Sequence, residues 1–210
     1  MTTAVVVFAK APVPGLAKTR LVPALGEAGA AALAERMLRH ALAQAVAADI
    51  GPVVLCATPD APHPMLRDMA AACGAALLAQ GTGDLGARMA RALRRQLRRW
   101  PRALLVGTDA PALGARQLRE AARALADHDA VFVPTHDGGY VLVGQRRPGD
   151  PRCFRGMTWS HPQVMADTRR RLADAGLSWL ELAPVVDIDE PADLASLPPE
   201  WRAGHAPGVR

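Results

Sequence analysis

Short apolar runs alternate with longer mixed segments along this chain. The runs are rich in Val, Leu and Ala, which is typical of strands buried on both faces of a parallel sheet. The segments between them place apolar side chains at helical spacing. This pattern predicts strands at residues 4–8, 52–57, 75–79, 103–106, 130–134, 140–144 and 178–182, and helices at 27–48, 62–73, 88–102, 114–126 and 161–175.

The order of these elements predicts the fold class. Strands and helices alternate through the first 130 residues, which indicates right-handed βαβ units and a mostly parallel sheet with helices on both faces. A chain of 210 residues is enough for one such domain. We therefore expect a single α/β domain over residues 1–198, followed by a flexible tail at 199–210.

Composition narrows the class of protein. Half of the residues are hydrophobic and 21% are charged, so the chain can bury a full core. No apolar run approaches the ~18 residues of a membrane span, and the amino terminus lacks the basic leader of a secretory signal. The three cysteines are widely spaced, which suits a reducing compartment and excludes a cysteine-built zinc site. We expect a cytoplasmic protein without a membrane partner.

The formal charge of +5 raises the question of nucleic-acid binding. The densest arginine cluster, residues 88–102, interleaves with Met89, Leu93 and Leu97 at helical spacing, which indicates a half-buried helix with a solvated face. No aromatic stacking platform or helix-turn-helix pattern is present. The sequence therefore favours a protein without a nucleic-acid partner. Only two lysines occur, Lys10 and Lys18, and both lie close behind the first strand.

Ligands on sheets of this class bind beyond the carboxyl ends of the strands. The loop after the first strand, AKAPVPGLAKTRL, carries Lys18 and Arg20 in a Pro- and Gly-rich context that suits phosphate oxygens. It is not a Walker A loop, because Pro12 and Ala17 stand where that motif has glycines. The alternative is a surface loop with solvated lysines.

Carboxylates follow two later strands. Asp109 comes after the fourth strand in GTDAP, where it is placed to hold Mg²⁺ or Mn²⁺, and it lies too far from the next helix to cap it well. Asp187 and Asp189 are two residues apart, so both project to one face of an extended chain. The alternative for Asp189 is a helix cap before Pro191.

Three further segments offer weaker signals. In QGTGDLG, Gln80 and Thr82 present hydrogen-bonding groups for a base, although a flexible loop fits equally well. Asp137 precedes two glycines and could act as a general base or orient an acceptor, or could belong to a plain turn. Trp159 and His161 combine an aromatic plate with a polar group suited to a small acceptor, unless Trp159 is a core anchor.

Taken together, five motifs resemble one bacterial family. FAKAPVPGLAKTRL, QGTGDLGARM, GTDAPAL, DGGYVLVG and VDIDEPADL are similar, in this order and spacing, to the radical-SAM-associated or arsenosugar-biosynthesis glycosyltransferase-like proteins. That family belongs to the nucleotide-diphospho-sugar transferase superfamily, and the resemblance covers residues 3–197. The first motif also resembles the corresponding loop of 2-phospho-L-lactate guanylyltransferase and, more distantly, that of molybdenum-cofactor guanylyltransferase.

The resemblance implies a GT-A fold, a Rossmann-like three-layer sandwich, and a set of roles. Phosphates would be held by Lys18 and Arg20 with the Pro14 and Gly15 backbone, and the base would be read by Gln80, Gly81, Thr82 and Gly83. Asp109 would bind Mg²⁺ or Mn²⁺ with Asp189, or with the near alternative Asp187. GTDAP supplies one carboxylate rather than the Asp-X-Asp of many glycosyltransferases, which leaves the reaction direction open.

The expected function is metal-dependent transfer of a sugar from a nucleotide-diphosphate donor to a small acceptor. Asp137 and Lys18 are the candidate catalytic residues, and Gly138, Gly139, Trp159 and His161 are the candidate acceptor-binding residues. The alternative is nucleotidyl transfer from an NTP to a phosphorylated small molecule, with release of pyrophosphate. A non-catalytic relic of the fold and a nucleic-acid binder are further alternatives, and the oligomeric state is open.

Overall fold

The computed structural model describes residues 1–58 and 63–202. Seven strands form one sheet in the order β3-β2-β1-β4-β6-β5-β7. They are β1 Thr3–Lys10, β2 Val53–Thr58, β3 Ala76–Ala79, β4 Arg102–Val106, β5 Ala130–Pro134, β6 Tyr140–Arg146 and β7 Trp179–Glu181. The α-helices are α1 Val22–Ala48, α2 Pro64–Ala72, α3 Leu85–Leu97, α4 Ala115–Ala124, α5 Val164–Asp174 and α6 Pro199–Arg202.

The sheet is parallel except at one strand. β6 pairs antiparallel with both β4 and β5, whereas the other pairings are parallel. The carboxyl ends of β1, β4 and β5 therefore share one edge of the sheet, and β6 begins at that same edge. The predicted α/β domain with a mostly parallel sheet is confirmed.

Helices cover both faces of the sheet. Val5 and Val7 of β1 face a core that contains Leu42 of α1 and Leu66 of α2, while Val6 faces a second core built with α3 and α5. These strand side chains are at most 1% exposed, as expected for a strand that is buried on both sides. The three-layer arrangement predicted from the alternating elements is thus present.

A third apolar cluster ties distant parts of the chain together. It joins Leu21 after the first loop, Met37 of α1, Ile188 and Trp201. Arg36 of α1 lies 4.6 Å from the centroid of the Trp201 ring, which adds a cation–π contact. The cluster fixes the segment around Ile188 against the first loop.

Gly26 interrupts the first helix, because its backbone is not helical (φ 68°, ψ 168°). A short helical turn from Val22 precedes this kink, and the long helix continues from residue 27, where the sequence predicted its start. Residues 199–202 belong to the domain rather than to the predicted flexible tail, since Trp201 is buried. The rest of that tail, 203–210, lies outside the described residues. Within the part of the chain that is described, no helix combines the length and apolar character needed to cross a membrane.

Candidate active site

The loop after β1 turns back on itself before α1. Lys10 donates from Nζ to the carbonyl oxygen of Leu16 at 2.7 Å, which holds the middle of the loop against the end of the strand. Lys18 adopts the left-handed conformation, with φ 48°, immediately before the 3₁₀ turn Thr19–Leu21. Such a backbone is uncommon for a residue with a side chain and is often found at functional sites.

Lys18 reaches across to the end of β4. Its Nζ lies 2.8 Å from Oδ1 of Asp109 and 3.5 Å from Oδ1 of Asp189, and it donates to the carbonyl oxygen of Ile188 at 2.6 Å. The Lys18 side chain is only 8% exposed, whereas the two carboxylates are 46% and 42% exposed. One ammonium group thus bridges the two carboxylates predicted to bind a metal.

The segment from Val185 to Asp189 runs beside the ends of β4 and β5. Val185 forms a parallel bridge with Thr135, and the backbone nitrogen of Ile188 donates to the carbonyl oxygen of Asp109 at 2.8 Å. Ile188 is buried, and the aspartates that flank it line two adjoining spaces rather than one, Asp187 the first and Asp189 the second. Asp189 does not cap a helix, because Glu190 holds the N-cap position of the following 3₁₀ turn.

A basic cleft of about 390 Å³ lies over the ends of β1 and β4. We call it the donor cleft, and its charged lining residues are Lys10, Lys18, Arg20, Arg88, Asp109 and Asp189. Arg20 donates from Nη1 to Oδ2 of Asp189 at 2.6 Å. Cations therefore outnumber carboxylates here. Pro14 and Gly15, which the resemblance assigned to phosphate binding, are not among the described residues that line this cleft.

Gln80 lies in this cleft, but its amide is fully engaged. Nε2 donates to the carbonyl oxygens of Ala9 and Cys56, at 2.9 and 3.3 Å, and Oε1 accepts from Arg88 at 2.8 Å. Gln80 therefore ties the ends of β1, β2 and α3 together. In this arrangement its polar atoms are directed to the protein, and reading a base would require them to exchange partners.

The rest of the predicted base-reading segment is held by another arginine. Arg91 donates to the carbonyl oxygens of Gln80 and Thr82, at 2.7 and 2.8 Å. Gly81 and Gly83 both have positive φ, and neither is among the described residues lining the cleft. Arg88 and Arg91 thus hold the Gln80–Thr82 segment in place, although the sequence predicted a solvated arginine face for their helix. Their position in the first two helical turns after the Gly-rich loop was the sequence signal that could have indicated these contacts.

A second cavity, of about 210 Å³, adjoins the donor cleft. We call it the acceptor cavity, and its polar and aromatic lining includes Asp109, Thr135, Asp137, Tyr140, Trp159, Ser160, His161 and Asp187. Asp109 lines both spaces. It therefore stands where a group held in one space would meet a group held in the other.

Three carboxylates line the acceptor cavity, those of Asp109, Asp137 and Asp187. Burial, followed by the negative charges of Asp137, Asp109 and Asp189, raises the pKa of Asp187 to about 6. Like-charged carboxylates at close range disfavour one another's ionised forms. A raised carboxyl pKa in a cleft is typical of functional sites. Here the residue with the raised pKa lines the same cavity as Asp109.

Asp137 sits in the turn between β5 and β6. Its Oδ1 accepts from the hydroxyl of Thr135 and from the backbone nitrogen of Gly139 at 2.9 Å. Both bonds are made to Oδ1, so Oδ2 takes part in neither. Gly138 has φ 90°, and a Cβ there would lie 1.9 Å from the carbonyl oxygen of Pro162, so only glycine allows the two loops to meet.

Residues 159–161 also line the acceptor cavity. Trp159 lines the cavity but is also packed against α3, where a Cβ on Gly86 would lie 2.8 Å from its ring. His161 places Nδ1 3.0 Å from Gln163 and Nε2 3.0 Å from the carbonyl oxygen of Thr158. Trp159 and Gly139 thus line the cavity, whereas Gly138 lies against Pro162. The ring nitrogens of His161 are hydrogen-bonded within their own loop.

Asp109 and Asp189 are the pair of residues that could hold a divalent cation. No group of three or more His, Cys, Asp or Glu side chains in 1–58 and 63–202 is arranged to hold a metal ion. Mg²⁺, however, is commonly held by one or two carboxylates together with substrate phosphates. The Lys18 ammonium lies within 4 Å of a carboxylate oxygen of both Asp109 and Asp189, which makes these two the candidate ligands.

Comparison with known proteins places the chain in a family. The family profile described as an uncharacterized protein conserved in bacteria (DUF2064) matches residues 27–161. The chain belongs to this family. The matched region of this DUF2064 member includes Asp109 and Asp137, and the first loop and the Asp187–Asp189 segment lie outside it. No curated protein matches the sequence.

Solved structures agree on the fold. A protein of Desulfovibrio desulfuricans G20, assigned as a nucleotide-diphospho-sugar transferase, is 29% identical with a TM-score of 0.82, over 90% of this chain and 84% of that one. The 4-diphosphocytidyl-2C-methyl-D-erythritol synthase of Anaerococcus prevotii is 10% identical, with a TM-score of 0.63 over 91% and 94% of the two chains.

A third structure carries ligands. Glucosyl-3-phosphoglycerate synthase of Mycobacterium tuberculosis, solved with Mn²⁺, UDP and its product, is 11% identical, with a TM-score of 0.55 over 93% of this chain and 75% of that one. These distant likenesses show a shared fold. The Desulfovibrio protein supports an enzyme of the transferase class for this chain.

Proposed function

We propose that this protein is a metal-dependent glycosyltransferase that moves a sugar from a nucleotide-diphosphate donor to a small acceptor. The observation that carries the proposal is the meeting of the basic donor cleft and the acidic acceptor cavity at Asp109. A diphosphate suits the cleft, because Lys18, Arg20 and Arg88 can form charge-assisted hydrogen bonds with its oxygens. The assignment of the Desulfovibrio relative agrees with this reading.

Lys18 has two sets of partners in the proposed cycle. Without a nucleotide, its ammonium neutralises Asp109 and Asp189. When a diphosphate enters the cleft, the same ammonium turns to the phosphate oxygens, and the two carboxylates become available as ligands. Arg20 remains beside Asp189 and adds a second positive charge at the rim of the cleft.

Asp109 and Asp189 would hold the Mg²⁺ or Mn²⁺, with Asp187 as the near alternative. Once bound, the cation would stabilise the negative charge that develops on the leaving diphosphate. The protein's own residues supply the remaining functions. Lys18 contacts the diphosphate, the acceptor cavity orients the acceptor, and the adjoining spaces align the two substrates.

Asp137 is the proposed general base. Thr135 and Gly139 fix its Oδ1, while Oδ2 takes part in neither bond, so that oxygen can accept the proton of an acceptor hydroxyl. The acceptor oxygen then bonds to the anomeric carbon as the bond from that carbon to the diphosphate oxygen breaks. The nucleoside diphosphate leaves, and the proton resides on Asp137 until it passes to solvent.

Nucleotidyl transfer is the second candidate, because the fold is shared with a solved cytidylyltransferase of Leptospira borgpetersenii. The donor cleft would serve either reaction. The narrower role, in radical-SAM-associated or arsenosugar chemistry, rests on the sequence motifs and belongs to the glycosyl-transfer proposal.

Product analysis separates the two reactions. The purified protein is incubated with Mn²⁺ and a panel of nucleotide sugars or NTPs, each with a panel of small acceptors. Glycosyl transfer releases a nucleoside diphosphate, and nucleotidyl transfer releases pyrophosphate. We expect nucleoside diphosphate release that requires both metal and acceptor, and acceptor-dependent release of pyrophosphate from an NTP would overturn the proposal.

A further inference from the structure

The described residues that line the acceptor cavity include three aspartates and one histidine, His161, but no permanently charged cation. Among the described residues that line it, none is Lys or Arg, whereas Asp109, Asp137 and Asp187 all are lining residues. Asp109 is paired with Lys18, but Asp137 and Asp187 form no ion pair in the described part of the chain. Two carboxylates are therefore left facing the space without a cation.

The contrast with the donor cleft is sharp. Lys10, Lys18, Arg20 and Arg88 surround that cleft, and none of the four lines the cavity. A divalent cation on Asp109 and Asp189 would not reverse the balance, because Asp137 and Asp187 would keep their charges. Phosphate and carboxylate groups are bound in proteins by Arg, Lys and clustered backbone amides. The cavity offers none of these cationic side chains.

The remaining walls suit a compact molecule with hydroxyl groups. Tyr140 and Trp159 contribute aromatic surface in a T-shaped pair with ring centroids 6.4 Å apart, and Thr135 and Ser160 contribute hydroxyls. The volume of about 210 Å³ is smaller than the roughly 300–1,000 Å³ typical of drug-sized ligands. Sugars and polyols combine apolar faces with several donors that carboxylates accept.

We propose that the acceptor is an uncharged, hydroxyl-bearing small molecule, such as a sugar or polyol without a phosphate or carboxylate group. The inference rests on the proposed function, because it names the substrate class of the same site. It also decides between the two transfer reactions, since joining a nucleotide to a phosphorylated acceptor would bring a phosphate next to Asp137 and Asp187.

Matched acceptor pairs test the proposal. Glycerol is compared with glycerol 3-phosphate, and glucose with glucose 6-phosphate, by the release of nucleoside diphosphate from a nucleotide sugar with Mn²⁺. We expect the unphosphorylated member to support at least tenfold more turnover. Greater turnover with the phosphorylated members would overturn the proposal.

A binding experiment tests the cavity without any turnover. Ser160 is exposed and lines the cavity, so Ser160→Lys adds a cation there, while Thr158→Lys adds the same charge to an exposed residue that does not line it. Inorganic phosphate is titrated into each protein and followed by NMR. We expect Ser160→Lys to bind phosphate at least tenfold more tightly than the wild type, and Thr158→Lys to match the wild type.

The two experiments keep the failures distinguishable. Equal phosphate affinity in the wild type and in Ser160→Lys would overturn the inference about charge. The donor cleft is the same in both proteins, so the difference between them reports on the cavity even if no nucleotide binds. Absence of nucleotide or nucleotide-sugar binding to the wild type would instead overturn the proposed function.

Discussion

The ammonium group of Lys18 lies 2.8 Å from a carboxylate oxygen of Asp109, although 90 residues separate them in sequence. The contact joins the loop after β1 to the end of β4, at the boundary between the donor cleft and the acceptor cavity. A buried lysine and a half-exposed carboxylate neutralise each other here, and a nucleotide with its metal would supply new partners to both.

Replacing Lys18 should have opposite effects on two ligands. In Lys18→Gln, the affinity for a nucleoside diphosphate should fall about tenfold or more, since a charge-assisted hydrogen bond contributes roughly 1.5–3 kcal/mol. The affinity for Mn²⁺ alone should rise, because the ammonium no longer competes for Asp109 and Asp189. Calorimetric titration of each ligand measures both effects. Arg94→Gln, on the exposed side of α3, is the charge-matched control, and parallel weakening of both ligands would argue against competition.

The raised pKa of Asp187 makes a prediction about stability. In the folded protein this pKa is about 6, whereas an unfolded aspartate titrates near 4. Ionised Asp187 therefore destabilises the folded state relative to the unfolded state. This destabilisation is complete above pH 6 and absent below about pH 4. In metal-free buffer, Asp187→Asn should raise the melting temperature by about 2 °C or more at pH 7.5 and leave it unchanged at pH 4.

The control for that comparison is Asp127→Asn, which removes an exposed carboxylate that precedes β5, at the end of the strand away from Thr135 and Asp137. It should change neither melting temperature appreciably. A shift from Asp187→Asn of the same size at both pH values would show that packing, not charge repulsion, explains the change.

The arginines of α3 should divide into two groups. Arg88 holds Gln80 and lines the donor cleft, whereas Arg94 and Arg98 are exposed. Arg88→Gln should weaken binding of a nucleoside diphosphate several-fold, and the double variant Arg94→Gln/Arg98→Gln should leave it unchanged. Binding is measured by fluorescence titration. Tight binding of nucleic acid at physiological salt that disappears in the double variant would revive a nucleic-acid role.

Asp137 should affect turnover more than donor binding. Asp137→Asn keeps the size of the side chain but removes the base, so kcat should fall by about 10²-fold or more, as is typical for loss of a general base. The affinity for the nucleotide donor should change less than about threefold. His136→Ala, at the exposed neighbouring position, should leave both quantities intact. Equal losses of kcat and donor affinity would assign Asp137 a structural role.

The fold could be predicted from the sequence because its signals are local. Apolar runs marked β1 to β6 in the part of the chain that the structure describes, and the loops rich in Gly, Asp and Lys marked the edge of the sheet where the two spaces lie. The contacts of individual side chains could not be predicted, because their partners are distant in sequence and only the folded chain brings them together. The sequence suggested that the amide of Gln80 was available to bind a base. In the structure this amide donates to the carbonyl oxygens of Ala9 and Cys56 and accepts from the guanidinium of Arg88.

The positions of several charged side chains could not be predicted from the sequence either. The composition of α3 suggested a solvated arginine face, and only the packing of the preceding loop brought Arg88 and Arg91 to the site. Similarly, nothing in VDIDEP distinguishes Asp187 from Asp189. The cluster around Ile188 sets the register that sends Asp187 to the acceptor cavity and Asp189 to Arg20.

The most direct test of the account is the metal dependence of nucleotide binding in Asp109→Asn. Asp109 is 46% exposed at a strand end, so the variant should fold, which circular dichroism and the melting temperature can verify. A nucleoside diphosphate is titrated into the wild type and the variant, each with Mn²⁺ and with a chelator. We expect Mn²⁺ to tighten binding to the wild type at least tenfold and to leave the variant's affinity unchanged. The same Mn²⁺ enhancement in both proteins would contradict the placement of the metal and of the reaction at Asp109.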